Sequence, residues 1–157
     1  MALNEILTLE RTLFGVPGGS KKRVFEYFSR FIAQHIPALD AEEVFSRLIA
    51  REKLGSTGIG EGIALPHCRI SHCHQAVGTF IRLRDKIDFD APDGNPVDLI
   101  FVLLVPEEAH EAHLQTLALL AERFSDETLR KALRNTDQPE QLFTLITQPA
   151  DSVPSSG

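Results

Sequence analysis

Apolar and polar positions alternate with helical spacing in two segments near the start of the chain. From Ser20, a typical N-cap residue, apolar side chains recur every three or four residues. Asp40 opens a second such segment, with Glu43 three residues later as in a capping box. The pattern therefore predicts two successive helices behind a short helix and a short strand. These first four elements are expected over residues 3–7, 12–16, 20–36 and 40–54.

The middle of the chain has the pattern of strands. Val97 to Val105 is a near-continuous apolar run rich in branched side chains, which predicts a central strand covered on both faces. Shorter apolar stretches predict a strand over 63–65 and a hairpin of two strands over 76–83 and 86–89. These segments predict one sheet built around the central strand.

Helical spacing returns after the central strand. It predicts a helix over 107–124, with Leu114, Leu117 and Leu120 facing inward and His113 at the edge of this stripe. Two further helices are expected over 126–134 and 138–147. The order of elements predicts one α/β domain, residues 1–157, whose sheet is flanked by helices. The tail, residues 148–157, is rich in Pro, Ser and Gly and is expected to be flexible.

Composition and charge narrow the class of protein. The 157 residues include 43% hydrophobic and 24% charged side chains, which suits one globular domain. The net charge of -6 argues against nucleic acid as the main partner, because a phosphate backbone attracts clustered Lys and Arg. The start of the chain lacks a signal-peptide pattern, and the longest apolar run is far shorter than the roughly 20 residues of a membrane helix. We therefore expect a cytoplasmic protein that is not embedded in a membrane.

A glycine-rich stretch, Gly55 to Gly62, follows the second predicted helix. Its backbone N–H groups could cradle an anion, and Ser56, Thr57 and Gly58 are candidate phosphate-binding residues within it. The stretch is neither a Walker A loop nor a dinucleotide fingerprint, because its glycines are spaced differently and no Lys follows. A flexible turn after a helix is the alternative interpretation.

Three further residues are candidates for chemistry. Pro66 restrains the chain so that His67 is held at the end of a strand beside the glycine-rich stretch, where a neutral imidazole could act as a nucleophile. His113 could donate a hydrogen bond to a phosphoryl oxygen near a helix N-terminus, and Arg51 could pair with phosphoryl charge. Each also has a structural alternative: a buried-edge histidine, or an arginine that complements the helix dipole or pairs with Glu52.

The stretch from Arg51 through Gly55-Ser56-Thr57-Gly58 to Leu65-Pro66-His67 resembles the active-site region of the fructose/mannitol-type enzyme IIA domains of the bacterial phosphotransferase system. The resemblance extends from Leu9 to about Phe143. It also includes the following segments: Phe89-Asp90-Ala91, Asp93-Gly94, Pro96-Val97-Asp98, Val105-Pro106, His113-Leu114 and Leu117. Ser20 to Arg23 and Gly55 to Gly58 make the chain most similar to the nitrogen-regulatory enzymes IIA.

The resemblance implies a fold, an activity and a set of site residues. It implies a mixed sheet flanked by helices, with His67 as the phosphorylated histidine, His113 as the second active-site histidine and Arg51 as the arginine that steadies the phosphoryl group. It places Ser56 and Thr57 in the loop that lines the pocket. The donor would be an HPr-like phosphocarrier, and no metal ion or nucleotide cofactor would be needed. The resemblance does not say which ring nitrogen of His67 reacts.

Three functions are compared on this basis. The first is a nitrogen-regulatory phosphotransferase component whose targets are transporters or kinases. The second is a sugar-specific enzyme IIA that passes phosphate to a IIB domain. The third is a zinc-binding module formed by a cluster of histidines and cysteines: His67, Cys68, His72, Cys73 and His74. We expect the first, because the sequence around the site is most similar to the regulatory proteins and the spacing of the cluster fits no usual zinc pattern.

Overall fold

The computed structural model of the chain describes residues 2–148, except for the side chain of residue 112. A short 3₁₀ helix, Leu3–Glu5, precedes the first strand. The strands are β1 Leu7–Val16, β2 Gly58–Gly60, β3 Ile63–Ala64, β4 His67–Ile70, β5 Val77–Ile87 and β6 Val97–Pro106. The helices are α1 Lys21–His35, α2 Ala41–Leu54, α3 Glu111–Phe124, α4 Glu127–Asn135 and α5 Pro139–Thr147.

The sheet is organised around β6. One edge of β6 pairs with antiparallel β5, which in turn pairs with parallel β1. Along its other edge β6 pairs first with β3 and then with β4, both parallel to it, while β2 pairs antiparallel to β3. The sheet is therefore mixed. Only two residues, Leu65 and Pro66, separate β3 from β4, and His67 follows them directly.

Both faces of the sheet are covered, and β6 contributes to both cores. Ile100 and Val102 pack with the core beneath α1 and α2. Phe101 and Leu103 pack with the core beneath α3, α4 and α5. All four side chains are buried. The predicted central strand and the predicted α/β fold, a mixed sheet flanked by helices, are confirmed.

Several predicted boundaries are wrong. The expected hairpin over 76–83 and 86–89 is one continuous strand, β5, because the polar Arg84, Asp85 and Lys86 lie exposed on the strand and form no turn. Helix α3 begins at Glu111 and not at 107, because the chain first makes a turn in which the Ala109 N–H donates to the Pro106 carbonyl over 3.0 Å. The expected flexible tail lies outside the described residues beyond position 148.

Close packing against α4 and the start of β6 requires a glycine at position 62. It has φ +78°, and a Cβ there would collide with Arg134 Nη2 and lie 3.0 Å from Asp98 Oδ1. Arg134 and Asp98 form an ion pair of 2.9 Å that joins α4 to the start of β6. We expect Gly62→Ala to lower the free energy of unfolding by about 3 kcal/mol, because overpacking adds to the cost of a positive φ. Urea denaturation measures this loss.

Gly94→Ala is the matched control for that substitution. Gly94 has a similar φ of +75°, but no atom lies within 4 Å of the position of its Cβ. The control should therefore lose only the backbone contribution, about 1–2 kcal/mol. Equal losses in the two variants would show that Arg134 and Asp98 do not restrict position 62.

Candidate functional site

His67 is the first residue of β4 and is fixed to the central strand. The register places it opposite Leu103, and the neighbouring Pro66 carbonyl accepts the Leu103 N–H over 2.9 Å. Its side chain is half-buried. Backbone bonds to β6 hold both residues, so the imidazole is fixed to the sheet. The predicted position at the end of a strand is wrong, because His67 begins β4 and does not end β3.

Two hydrogen bonds show which nitrogen of the His67 ring carries the proton and which carries the lone pair. Nδ1–H donates to the Leu65 carbonyl over 2.8 Å. Nε2 therefore carries the lone pair, and it accepts a 3.3 Å hydrogen bond from Arg51 Nε. The nucleophilic position of this imidazole is Nε2, and it faces a guanidinium.

Arg51 lies in the last turn of α2, as predicted, and its guanidinium is anchored. Nη1 donates to the Gly55 carbonyl over 3.0 Å, which caps the C-terminal end of α2. The opposite edge, formed by Nε and Nη2, faces His67, and Nη2 has no hydrogen-bond acceptor among residues 2–148. That edge presents two parallel N–H groups, the geometry that binds phosphoryl oxygens.

His113 approaches the same imidazole from the opposite helix layer. It is the third residue of α3, and its ring centroid lies 5.9 Å from that of His67. Its Nδ1–H donates to the His110 carbonyl over 3.0 Å, which leaves Nε2 without an acceptor or donor in the described structure. The predicted inward position of Leu114 is wrong, because this side chain is 60% exposed beside His113.

The surroundings of His67 favour its neutral form. Desolvation by burial is the largest cause and lowers the pKa of His67 below its usual value of 6.5. The positive charge of Arg51 and the proximity of His113 also lower it, whereas the Leu65 carbonyl and the Glu52 carboxylate act in the opposite direction. A neutral ring keeps the Nε2 lone pair available at neutral pH.

A titration tests this electrostatic effect. We expect the imidazole C–H signals of His67 in NMR spectra to titrate with a midpoint below 6.5, the ordinary histidine value. The midpoint should rise in Arg51→Met, because a positive charge that opposes protonation is removed. A midpoint at or above 6.5 in the wild-type protein would contradict the proposed burial effect.

The glycine-rich stretch is more closed than an anion cradle. Ser56 Oγ donates to the Phe89 carbonyl over 2.7 Å and accepts the Gly58 N–H. Both the hydroxyl and the backbone N–H of Thr57 donate to Glu52. Through these contacts Ser56, Thr57 and Gly58 stabilise the shape of the loop. The hydroxyl groups of Ser56 and Thr57 and the backbone N–H groups of Thr57 and Gly58 already donate within the protein, which does not support direct phosphate binding by these groups. Among the described residues, the Ser56 backbone N–H has no acceptor and stays available.

Glu52 also belongs to the site. From the sequence it was considered only as a possible ion-pair partner of Arg51. Its carboxylate is buried and pairs with Lys21 of α1 over 3.0 Å, so the alternative pairing with Arg51 does not form. One feature of the sequence could have indicated this. Glu52 continues the buried stripe of α2 at four-residue spacing from Val44 and Leu48.

The histidines and cysteines after His67 do not converge. Cys68 and Cys73 are buried in the core beneath α1 and α2, whereas His72 and His74 are exposed. Burial raises the pKa of the Cys68 thiol to about 12. In the part of the chain that the structure describes, no three His, Cys, Asp or Glu side chains are arranged to hold a metal ion. The zinc interpretation therefore has no geometric basis there.

Comparisons with known proteins identify the family of the chain and agree with its fold. Residues 5–148 match the family described as phosphoenolpyruvate-dependent sugar phosphotransferase system, EIIA 2, and the chain belongs to that family. It is 49% identical over 144 residues to a nitrogen regulatory protein of Pseudomonas aeruginosa, which covers 92% of this chain and 94% of that protein. It is 43% identical to the nitrogen regulatory protein of Escherichia coli K12, with 94% and 90% covered.

Solved structures show the same relationship. The crystal structure of the nitrogen regulatory protein IIA-Ntr from Neisseria meningitidis superposes with a TM-score of 0.87 at 45% identity, covering 92% of this chain and 99% of that one. IIA mannitol from Escherichia coli, at 20% identity and a TM-score of 0.73, shares the fold over 89% of this chain and 98% of that one. Within residues 2–148, none of the helices has the length and apolar character needed to cross a bilayer.

Proposed function

We propose that the protein is a cytoplasmic nitrogen-regulatory phosphocarrier that accepts a phosphoryl group on His67 Nε2 from an HPr-like phosphocarrier. One observation carries the proposal. The lone pair of a neutral imidazole points at one edge of a guanidinium, whose Nε donates to it, with a second imidazole beside it. This arrangement provides a nucleophile and a place for phosphoryl charge in one pocket.

Transfer of the phosphoryl group follows from this geometry. The Nε2 lone pair forms a bond to phosphorus while the bond from phosphorus to the donor nitrogen breaks, and the donor keeps that electron pair. Nδ1 retains its proton, and its hydrogen bond to the Leu65 carbonyl stabilises the positive charge that the ring acquires. Arg51 Nε and Nη2 then bind phosphoryl oxygens, and His113 in its doubly protonated form can donate to another through Nε2 while Nδ1–H still donates to the His110 carbonyl.

The regulatory role is supported by similarity. The relatives with 43–49% identity are named nitrogen regulatory proteins, whereas IIA mannitol is only 20% identical. Phosphorylation adds nearly two negative charges close to His113 and its exposed neighbour Leu114, so a target that docks there would distinguish the two forms. The alternative is onward transfer to a IIB domain, and a solved complex joins enzyme IIAMtl of Escherichia coli to phosphorylated enzyme IIBMtl.

Intact mass spectrometry tests the proposal. The protein is incubated with phosphoenolpyruvate, enzyme I and an HPr-like carrier. We expect one added phosphoryl group that is lost in acid, as a phosphoramidate should be. Omission of the carrier should prevent the gain. An unchanged mass with a carrier that is itself fully phosphorylated would overturn the proposed donor.

Exposed apolar side chains at the site are expected to bind the donor. Leu54 is 84% exposed three residues after Arg51, and Leu114 is 60% exposed next to His113. We predict that Leu114→Asp raises the KM for phosphorylated donor about tenfold or more with little change in kcat, because an apolar contact is lost from the interface. Leu119→Asp, on another side of α3 and 37% exposed, is the control and should leave KM unchanged. Equal effects would argue against docking at Leu114.

A further inference from the structure

A buried carboxylate lies directly beneath the site. The Glu52 side chain is only 6% exposed. Its Oε2 accepts the Thr57 backbone N–H over 3.0 Å and Lys21 Nζ over 3.0 Å, and its Oε1 accepts the Thr57 hydroxyl over 2.6 Å. Both carboxylate oxygens are therefore engaged, as a buried charge requires.

The hydrogen bonds continue from Glu52 to the reactive histidine. The Thr57 carbonyl accepts the Leu65 N–H over 2.9 Å. The Leu65 carbonyl accepts His67 Nδ1–H over 2.8 Å. Thr57 and Leu65 are the residues that link the carboxylate to the imidazole, and the intervening peptide groups are planar and buried. A displacement of Thr57 would therefore alter the orientation of the Leu65 carbonyl.

The same loop is held from the other side. Ser56 Oγ donates to the Phe89 carbonyl over 2.7 Å. Lys21 Nζ lies 3.3 Å from Asp90 Oδ2 and 4.7 Å from the centre of the Phe89 ring. Lys21 thus neutralises Glu52 while packing on the segment that anchors Ser56. The loop is fixed by contacts from α1, from α2 and from the segment after β5.

We propose that Glu52 is a positioning residue that acts through Thr57 and Leu65 to keep His67 in the Nδ1–H tautomer with Nε2 facing Arg51. The physical reason is that the hydrogen bond of one ring nitrogen determines which state the other adopts. The consequence for reactivity rests on the proposed function, but the tautomer is a property of the unphosphorylated protein. The two are therefore tested separately.

Histidine tautomers are read directly from ring-nitrogen chemical shifts. Protein labelled with ¹⁵N-histidine is measured by long-range ¹H–¹⁵N spectroscopy as wild type, Glu52→Gln and Glu43→Gln. Glutamine offers one acceptor oxygen where glutamate offers two, so Glu52→Gln turns an amide N–H₂ toward either Thr57 or Lys21. Glu43 is the matched control because it lies on the same helix and accepts the backbone N–H of Ser71 over 3.0 Å without a link to His67.

The expected results are distinct for the two variants. Wild type and Glu43→Gln should show His67 as the Nδ1–H tautomer. Glu52→Gln should show a mixture of tautomers and a phosphorylation rate lower by roughly 10–100-fold, the range seen when groups that orient a ligating histidine are removed. A Glu52→Gln protein with the wild-type tautomer would overturn the proposal.

If circular dichroism shows that Glu52→Gln does not fold, Thr57→Val tests whether the link through Thr57 fixes the tautomer of His67. This substitution removes the hydroxyl bonded to Glu52 Oε1 while preserving side-chain shape, and Thr57→Ser should restore the wild-type spectrum. A wild-type tautomer in Thr57→Val would likewise overturn the proposal. If wild type is not phosphorylated by any carrier, the proposed function fails, but the tautomer comparison still decides the role of Glu52.

Discussion

His67→Gln is expected to accept no phosphoryl group from a phosphorylated HPr-like carrier. Glutamine is similar in length to histidine but has no ring nitrogen with a lone pair, so the bond to phosphorus cannot form. The intact mass of the variant should remain unchanged under conditions that fully modify the wild type. Circular dichroism should show that the variant is folded, because His67 is only half-buried at the start of β4.

His74→Gln is the control for loss of a histidine. This side chain is exposed in the segment after β4, and among the described residues no hydrogen bond joins it to Arg51, His67 or His113. The His74→Gln protein should be phosphorylated at the wild-type rate. A His67→Gln protein that still gains an acid-labile phosphoryl group would place the acceptor elsewhere and contradict the proposed function.

Arg51→Ala is expected to slow transfer by about 100–1000-fold, the range for removing one donor that stabilises charge in a transition state. Arg51 donates to His67 Nε2 through the same edge that would hold phosphoryl oxygens. Arg51→Lys should recover little of the rate, because an ammonium group cannot reproduce the fork of two parallel donors. Single-turnover kinetics with phosphorylated donor measures both variants.

Arg47→Lys is the matched control on the same helix. Arg47 pairs with Glu43 and Glu107 and does not contact His67. Its substitution should leave the transfer rate within about twofold, as expected for an exposed ion pair. An Arg51→Ala protein that transfers as fast as Arg47→Lys would show that the guanidinium is not part of the reaction.

Capping residues and apolar periodicity in the sequence predicted those helices and strands whose formation depends on neighbouring residues. Ser20 and Asp40 cap α1 and α2 through their side chains, which accept the backbone N–H groups of Arg23 and Glu43. The central strand was evident because both of its faces are apolar. The length of β5 was not evident, because its charged end stays in the sheet through pairing between Ile87 and Val97, which no local pattern reports.

For the candidate site, the sequence predicted which residues lie together but not how they are hydrogen-bonded. The motif predicted that Arg51 and His67 lie close together, because they flank a single loop, and their side chains are in contact. The choice of Nε2 depends on the direction of the Leu65 carbonyl, and the closed state of Ser56 and Thr57 depends on contacts with Phe89 and Glu52. These are properties of three-dimensional packing, so they required the structure.

The atom that carries the phosphoryl group tests the proposed transfer to His67 Nε2 most directly. Protein labelled with ¹⁵N-histidine and phosphorylated through enzyme I and an HPr-like carrier is examined for coupling between phosphorus and a ring nitrogen. We expect coupling to Nε2 of His67, with Nδ1 still protonated and bonded to the Leu65 carbonyl. Coupling to Nδ1 of His67, or to the ring of any other histidine, would contradict the proposed transfer.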